Sequence, residues 1–131
     1  MNCNAARVLI VEDDPVTSLA HRNRLSREGY QVAVASDGTT ILALLREFRP
    51  DAMLLDLQMP KVSGMDVLKS IRASDDFRHL PVLVFTNTTD EKLFYDCIDA
   101  GANKVFEKGA LTVDLLLNAL EEVVRHFQKR A

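Results

Sequence analysis

Five short apolar runs, each followed by a stretch of helical periodicity, set the folding options of this chain before anything else is considered. Val8, Leu9, Ile10 and Val11 are apolar on both faces of an extended segment, which suits a strand buried inside a parallel sheet. Asp14 and Pro15 then supply a helix cap and a first helical residue, and Gly29 supplies a stop. Residues 30–35 read as a second strand, and Ile41, Leu42, Leu44, Leu45 and Phe48 as one apolar helical face ended by Pro50. Ala52, Met53, Leu54 and Leu55 form a third strand, followed by a helix over 64–72 with Met65, Leu68 and Ile71 on one side. Pro81 opens the strand of Val82, Leu83, Val84 and Phe85. Thr88 and Glu91 have the spacing of a capping box for a fourth helix that ends near Ala100 and Gly101. Lys104, Val105 and Phe106 make the last strand. Leu115, Leu116, Leu120, Val123, Val124 and Phe127 line a long amphipathic helix that starts at Thr112.

This alternation predicts an α/β protein: a doubly wound parallel sheet with helices on both faces. At 131 residues, 47% apolar and 27% charged, the chain has the size and composition of one globular domain, and disorder is excluded as its main state. No apolar run approaches the roughly 18 residues needed to span a bilayer, and the first residues lack a leader pattern, so a cytoplasmic protein without membrane contact is expected. A net charge of −3 argues against direct nucleic-acid binding, which favours a basic surplus. Cys3 and Cys97 lack CxxC spacing and read as reduced thiols, and His21, His79 and His126 lack the spacing of a zinc site.

In such sheets the working site lies beyond the carboxyl ends of the strands, near the reversal of strand order. Glu12, Asp13 and Asp14 follow the first strand, Asp56 the third, Thr86 the fourth and Lys108 the fifth. Asp14 is spent as a helix cap. Glu12, Asp13 and Asp56 would repel one another unless a cation sat among them, and oxygen ligands favour Mg²⁺ or Mn²⁺ with open positions for water or a phosphoryl group. Lys108 can neutralise one phosphoryl oxygen and the Thr86 hydroxyl can donate to another. A single acid, lysine or threonine at a strand end is weak information, but the four strand ends together point to phosphoryl chemistry. Other phosphate-handling designs fail on named residues. No GxxxxGK[ST] or GxGxxG follows the first strand. A flavodoxin would carry a Ser/Thr-rich loop where this chain has acids. A dehalogenase-type phosphatase would have a second aspartate two positions after the nucleophile, where Gln58 stands.

Over about residues 6–128 the chain resembles the receiver domains of two-component response regulators. The matching residues are Val8 to Val11 with Glu12, Asp13 and Pro15; Leu54, Asp56, Met59 and Pro60 with Gly64; Val84, Phe85 and Thr86; Ala100, Gly101 and Ala102; and Lys108. The resemblance implies a flavodoxin-like sheet of order 2-1-3-4-5 and one receiver domain over 1–131. It implies Asp56 as acceptor of a phosphoryl group from a phosphohistidine, with Thr86 and Lys108 contacting the group once transferred. Mg²⁺ (or Mn²⁺) would be held by Glu12, Asp13, Asp56 and the Gln58 main-chain carbonyl. Partners would be a histidine kinase or histidine phosphotransfer protein, and a downstream protein docking on the face of the fourth helix, fifth strand and fifth helix. Any enzymatic activity would be limited to self-phosphorylation and self-dephosphorylation. Since the units fill the length, the output is expected to be another protein.

Three residues depart from the family pattern. Gly109 follows Lys108 where a proline in a cis peptide is usual, and a cis Lys–Gly bond would cost about 2.5–4 kcal/mol, so a trans or a strained bond is expected. Val105 stands at the switch aromatic's position, while Phe106 should face the other side as packing. Asn87 follows Thr86 where a small residue is usual and could narrow access to the phosphoryl group. These departures keep open an alternative, a receiver-like interaction module acting without phosphorylation.

Overall fold

β1 (Arg7–Val11) is the strand around which the sheet is organised, since it pairs in parallel with β2 (Gln31–Ala35) on one side and with β3 (Ala52–Asp56) on the other. The computed structural model describes residues 6–37, 40–59 and 63–130, apart from the side chains of 128–130; Cys3 and Pro60, and the expectations attached to them, lie outside these residues. Between β1 and β2 runs α1 (Pro15–Arg27), and between β2 and β3 runs α2 (Ile41–Phe48). The chain continues through α3 (Gly64–Ala73), β4 (Val82–Thr86), α4 (Glu91–Asp99), β5 (Lys104–Glu107), a 3₁₀ turn (Lys108–Ala110) and α5 (Val113–Arg130). All strands are parallel, in the order β2-β1-β3-β4-β5 that the family resemblance implied.

Each face of the sheet has its own core, because successive strand residues point to opposite sides. Leu9, Val11, Met53, Leu55, Val82 and Val84 face α2, α3 and α4. Val8, Ile10, Leu54, Leu83 and Phe85 face α1 and α5. The central strands are buried throughout, which is why their sequence shows unbroken apolar runs. Asp14 caps α1 by accepting from the Val16 and Thr17 amides, with Pro15 first in the helix. Gly29 and Gly101, at φ 99° and 112°, occupy the left-handed region that ends helices.

Some boundaries and faces differ from the sequence reading. β2 begins at Gln31, one residue late. β3, β4 and β5 each run one residue further than their apolar runs, to Asp56, Thr86 and Glu107, because the hydrogen-bonded ladder continues onto the polar residues. The capping box of Thr88 and Glu91 is not formed. The Thr88 hydroxyl oxygen accepts from the Asp90 amide at 3.0 Å, and Asp90 caps α4 by accepting from the Lys92 amide at 3.0 Å. A carboxylate is the stronger acceptor, and with Thr88 committed to a local turn the helix starts two residues later. Leu42 and Leu115 are exposed rather than part of the buried helical faces: the buried stripe is Ile41 and Leu45 on α2, with Leu44 and Phe48 packed beside it, and Leu116, Ala119, Leu120, Val123 and Val124 on α5.

Candidate functional site

The polar residues of the site sit where the register puts them. Val11 pairs with Leu55, Asp56 with Phe85, and Thr86 with Glu107, so Glu12, Asp56, Thr86 and Lys108 come together at the carboxyl edge. This edge flanks the β1–β3 boundary, where strand order reverses. Gly64, at the start of α3, packs directly against the end of β3: a Cβ on it would lie 2.7 Å from the Leu57 Cα and 2.9 Å from the Asp56 carbonyl oxygen, so only glycine fits there. Gly64 N–H donates to the Leu57 carbonyl at 3.2 Å, and Gln58 bridges to Ser63.

Glu12 and Asp56 are 3% and 1% exposed, burial that carboxylates tolerate only when compensated. Asp56 Oδ1 lies 3.1 Å from Lys108 Nζ and accepts from the Gln58 amide at 3.1 Å. Glu12 Oε2 accepts from the Asp14 amide at 3.2 Å. Glu12 Oε1 lies 3.6 Å from Lys108 Nζ and is buried without a hydrogen-bond partner. Burial pushes the Glu12 carboxyl up to about 7; the neighbouring Asp56 adds to the rise, and the Asp14 amide and Lys108 oppose it. One carboxylate oxygen from each of Glu12, Asp13 and Asp56 lies within 4.8 Å of the others. Three converging carboxylates, one of which also carries a buried oxygen without a hydrogen-bond partner, fit a small hard divalent cation that keeps part of its water.

Thr86 is buried, and its hydroxyl oxygen accepts from Gln58 Nε2 at 2.8 Å and from the Thr88 amide at 3.2 Å. The Asn87 amide donates to Gln58 Oε1 at 2.8 Å. The sequence reading used only the main-chain carbonyl of Gln58; the reach of its side chain to the neighbouring loop was missed, and no sequence signal marks it. All six expected residues, Glu12, Asp13, Asp56, Gln58, Thr86 and Lys108, fall at the one edge.

The departures resolve individually. The Lys108–Gly109 peptide is trans, inside a 3₁₀ turn. Val105 packs on the α2–α3–α4 side of the sheet and Phe106 on the other, its ring 6.1 Å from Phe85, which also meets the His21 ring at 5.7 Å. Asn87 is exposed, and its main-chain amide belongs to the Gln58 contact.

An open parallel sheet with buried carboxylates and a lysine converging at its switch point defines an α/β domain with an acidic pocket at the carboxyl edge of its strands. The sequence matches the response regulator receiver domain over residues 8–121, and the chain belongs to that family of phosphoacceptor signalling modules. It is 36% identical over 110 residues to the response regulator MprA of Mycobacterium sp. (strain KMS), an alignment covering 84% of this chain and 47% of the relative. The chain spans about half the length of the curated relatives it matches. Among solved structures, the response regulator receiver domain from Bermanella marisrubri is 31% identical with a TM-score of 0.83, covering 92% of this chain and 99% of that one. The chemotaxis protein CheY4 of Vibrio cholerae is 28% identical with a TM-score of 0.84, again over 92% and 99%. No helix among the described residues is long and apolar enough to cross a membrane.

Proposed function

We propose that Asp56 is the phosphoacceptor of a two-component or phosphorelay system. An oxygen of its carboxylate attacks the phosphorus of a partner's phosphohistidine, the P–N bond breaks, and the imidazole leaves with the bonding pair and takes up a proton. The observation that carries this reading is the Asp56 carboxylate itself: almost fully buried at a strand end, with Lys108 at 3.1 Å and two further acids beside it. Lys108 neutralises a phosphoryl oxygen, and the Thr86 hydroxyl donates to another. Glu12, Asp13, Asp56 and the Gln58 carbonyl are the residues that would hold Mg²⁺ (or Mn²⁺), which when bound supplies positive charge against the phosphoryl oxygens. The donor is a histidine kinase or a histidine phosphotransfer protein, and turnover is limited to self-phosphorylation from a donor and self-dephosphorylation. The same set works within the whole chain as a single receiver unit acting in the cytoplasm.

The downstream partner is a protein docking on the α4–β5–α5 face rather than nucleic acid. Exposed Phe94, Tyr95 and Ile98 on α4, with Val113 and Leu115 on α5, offer apolar anchors there. Val105 and trans Gly109 alter how the switch is read but leave the acids and the lysine in place. Incubation with Mg²⁺ and acetyl phosphate should add one phosphate to the wild type and none to Asp56→Asn. An unchanged wild-type mass, or equal labelling of both proteins, overturns the assignment.

A further inference from the structure

The last backbone rung between β3 and β4 is Leu57 N–H to the Phe85 carbonyl, at 2.8 Å. Beyond it the strands end, yet the pairing does not. The Gln58 carboxamide continues it by one step, accepting from the Asn87 amide through Oε1 and donating to the Thr86 hydroxyl oxygen through Nε2, both at 2.8 Å. A side-chain amide carries one acceptor and one donor end in the arrangement of a peptide group, so it can stand in for a rung of the ladder.

The Gln58 backbone is itself fixed on two sides. Its amide donates to Asp56 Oδ1, and it forms an isolated bridge with Ser63. The carboxamide therefore joins the residue two positions after the acceptor aspartate to Thr86 at the end of β4 and to Asn87 just beyond it. The Thr86 oxygen has two lone pairs, and Gln58 Nε2 and the Thr88 amide are its two donors. In this position the hydroxyl is anchored to Gln58, and any displacement of Thr86 away from the carboxamide stretches or breaks that contact.

We propose that the Gln58 side chain is a positioning residue acting as a latch. It holds Thr86 and the start of the β4–α4 loop in place in the unphosphorylated protein and lets go when the phosphoryl group arrives. This rests on the assignment of Asp56 as phosphoacceptor. It concerns the Gln58 carboxamide, which has no role in holding the cation or in the transfer step.

The test is amide hydrogen exchange by NMR on the full chain, comparing wild type with Gln58→Met, similar in length but unable to form either bond, and Gln58→Asn, too short to reach. Gln58 is exposed, so all three should fold alike, as circular dichroism will report. In the unphosphorylated proteins both substitutions should lower protection of the Asn87 amide about 2- to 10-fold, the range expected for one hydrogen bond, leaving the Val82–Thr86 amides unchanged. After labelling with acetyl phosphate and Mg²⁺, wild-type Asn87 should exchange as fast as in the variants, and the variants should show no further change. A purely structural contact would give the first difference and not the second.

Equal Asn87 protection in unphosphorylated wild type and Gln58→Met overturns the latch, and so does wild-type protection that survives phosphorylation. Absence of phosphate uptake by the wild type, read by mass on the same samples, instead overturns the acceptor assignment and the release step with it. The comparison of unphosphorylated proteins still decides whether the resting contact exists.

Discussion

Lys108 reaches both buried acids, Asp56 Oδ1 at 3.1 Å and Glu12 Oε1 at 3.6 Å, and is the residue whose removal leaves the most uncompensated charge. Its side chain is 28% exposed, so the attraction is partly screened. Lys108→Met should destabilise the metal-free protein by about 1–3 kcal/mol at pH 8, less than a fully buried pair would lose. The loss should shrink at pH 5, because Glu12, with its carboxyl raised to about 7, is protonated there. Urea titrations at the two pH values check this, and an equal loss at both would show that the lysine does not act through Glu12. The acids and the lysine were legible in the sequence because, each weak alone, they stand together after strands whose carboxyl ends meet at one edge. The Gln58 side chain was not, because its partners at Thr86 and Asn87 depend on a register and a rotamer that spacing does not reveal.

Among the elements, the start of α4 was read two residues early. Ser, Thr, Asp and Asn all cap helices, so Thr88, Thr89 and Asp90 offered competing starts that only the backbone path separates. Asp90 accepts from the Lys92 amide, whereas Thr88 accepts from the Asp90 amide in a turn outside the helix. Asp90→Ala should therefore cost about 0.5–2 kcal/mol in thermal or urea unfolding, and Thr88→Ala less than about 0.5 kcal/mol, as for an ordinary surface change. The reverse order would restore the capping box. The strands were read almost to the residue, β1, β3 and β4 because burial on both faces leaves an unbroken apolar run. The exposed Leu42 and Leu115 were not separated from their buried neighbours, since helical periodicity gives the width of an apolar stripe only approximately.

For the molecule as a whole, βα alternation specifies layers and parallel pairing but leaves strand order open; the order came from family resemblance. That order places Glu12 beside Asp56 and so shapes how the entire fold responds to pH. An acid whose carboxyl rises from 4.5 in the unfolded chain to about 7 in the folded one binds more protons when folded, so stability falls as pH climbs through that interval. His21 acts in the opposite sense. Burial, and then Lys108, lower its proton affinity in the fold, so its contribution rises with pH until about 6.5 and is constant above. Between about pH 6.5 and 7.5 the Glu12 term stands without that opposition, and the metal-free protein should lose stability there. A divalent cation bound only by the folded state adds about 2.7 kcal/mol at a hundred times its dissociation constant, and it competes with the Glu12 proton. The Tm gained from Mg²⁺ over EDTA should accordingly grow from pH 5 to pH 8, measured by calorimetry in buffers of matched ionic strength. Glu12→Gln should flatten the metal-free decline and reduce the Mg²⁺ gain at pH 8. Parallel curves with and without Mg²⁺ across this range would separate the raised Glu12 carboxyl from cation binding and remove the acid cluster as the cation's site.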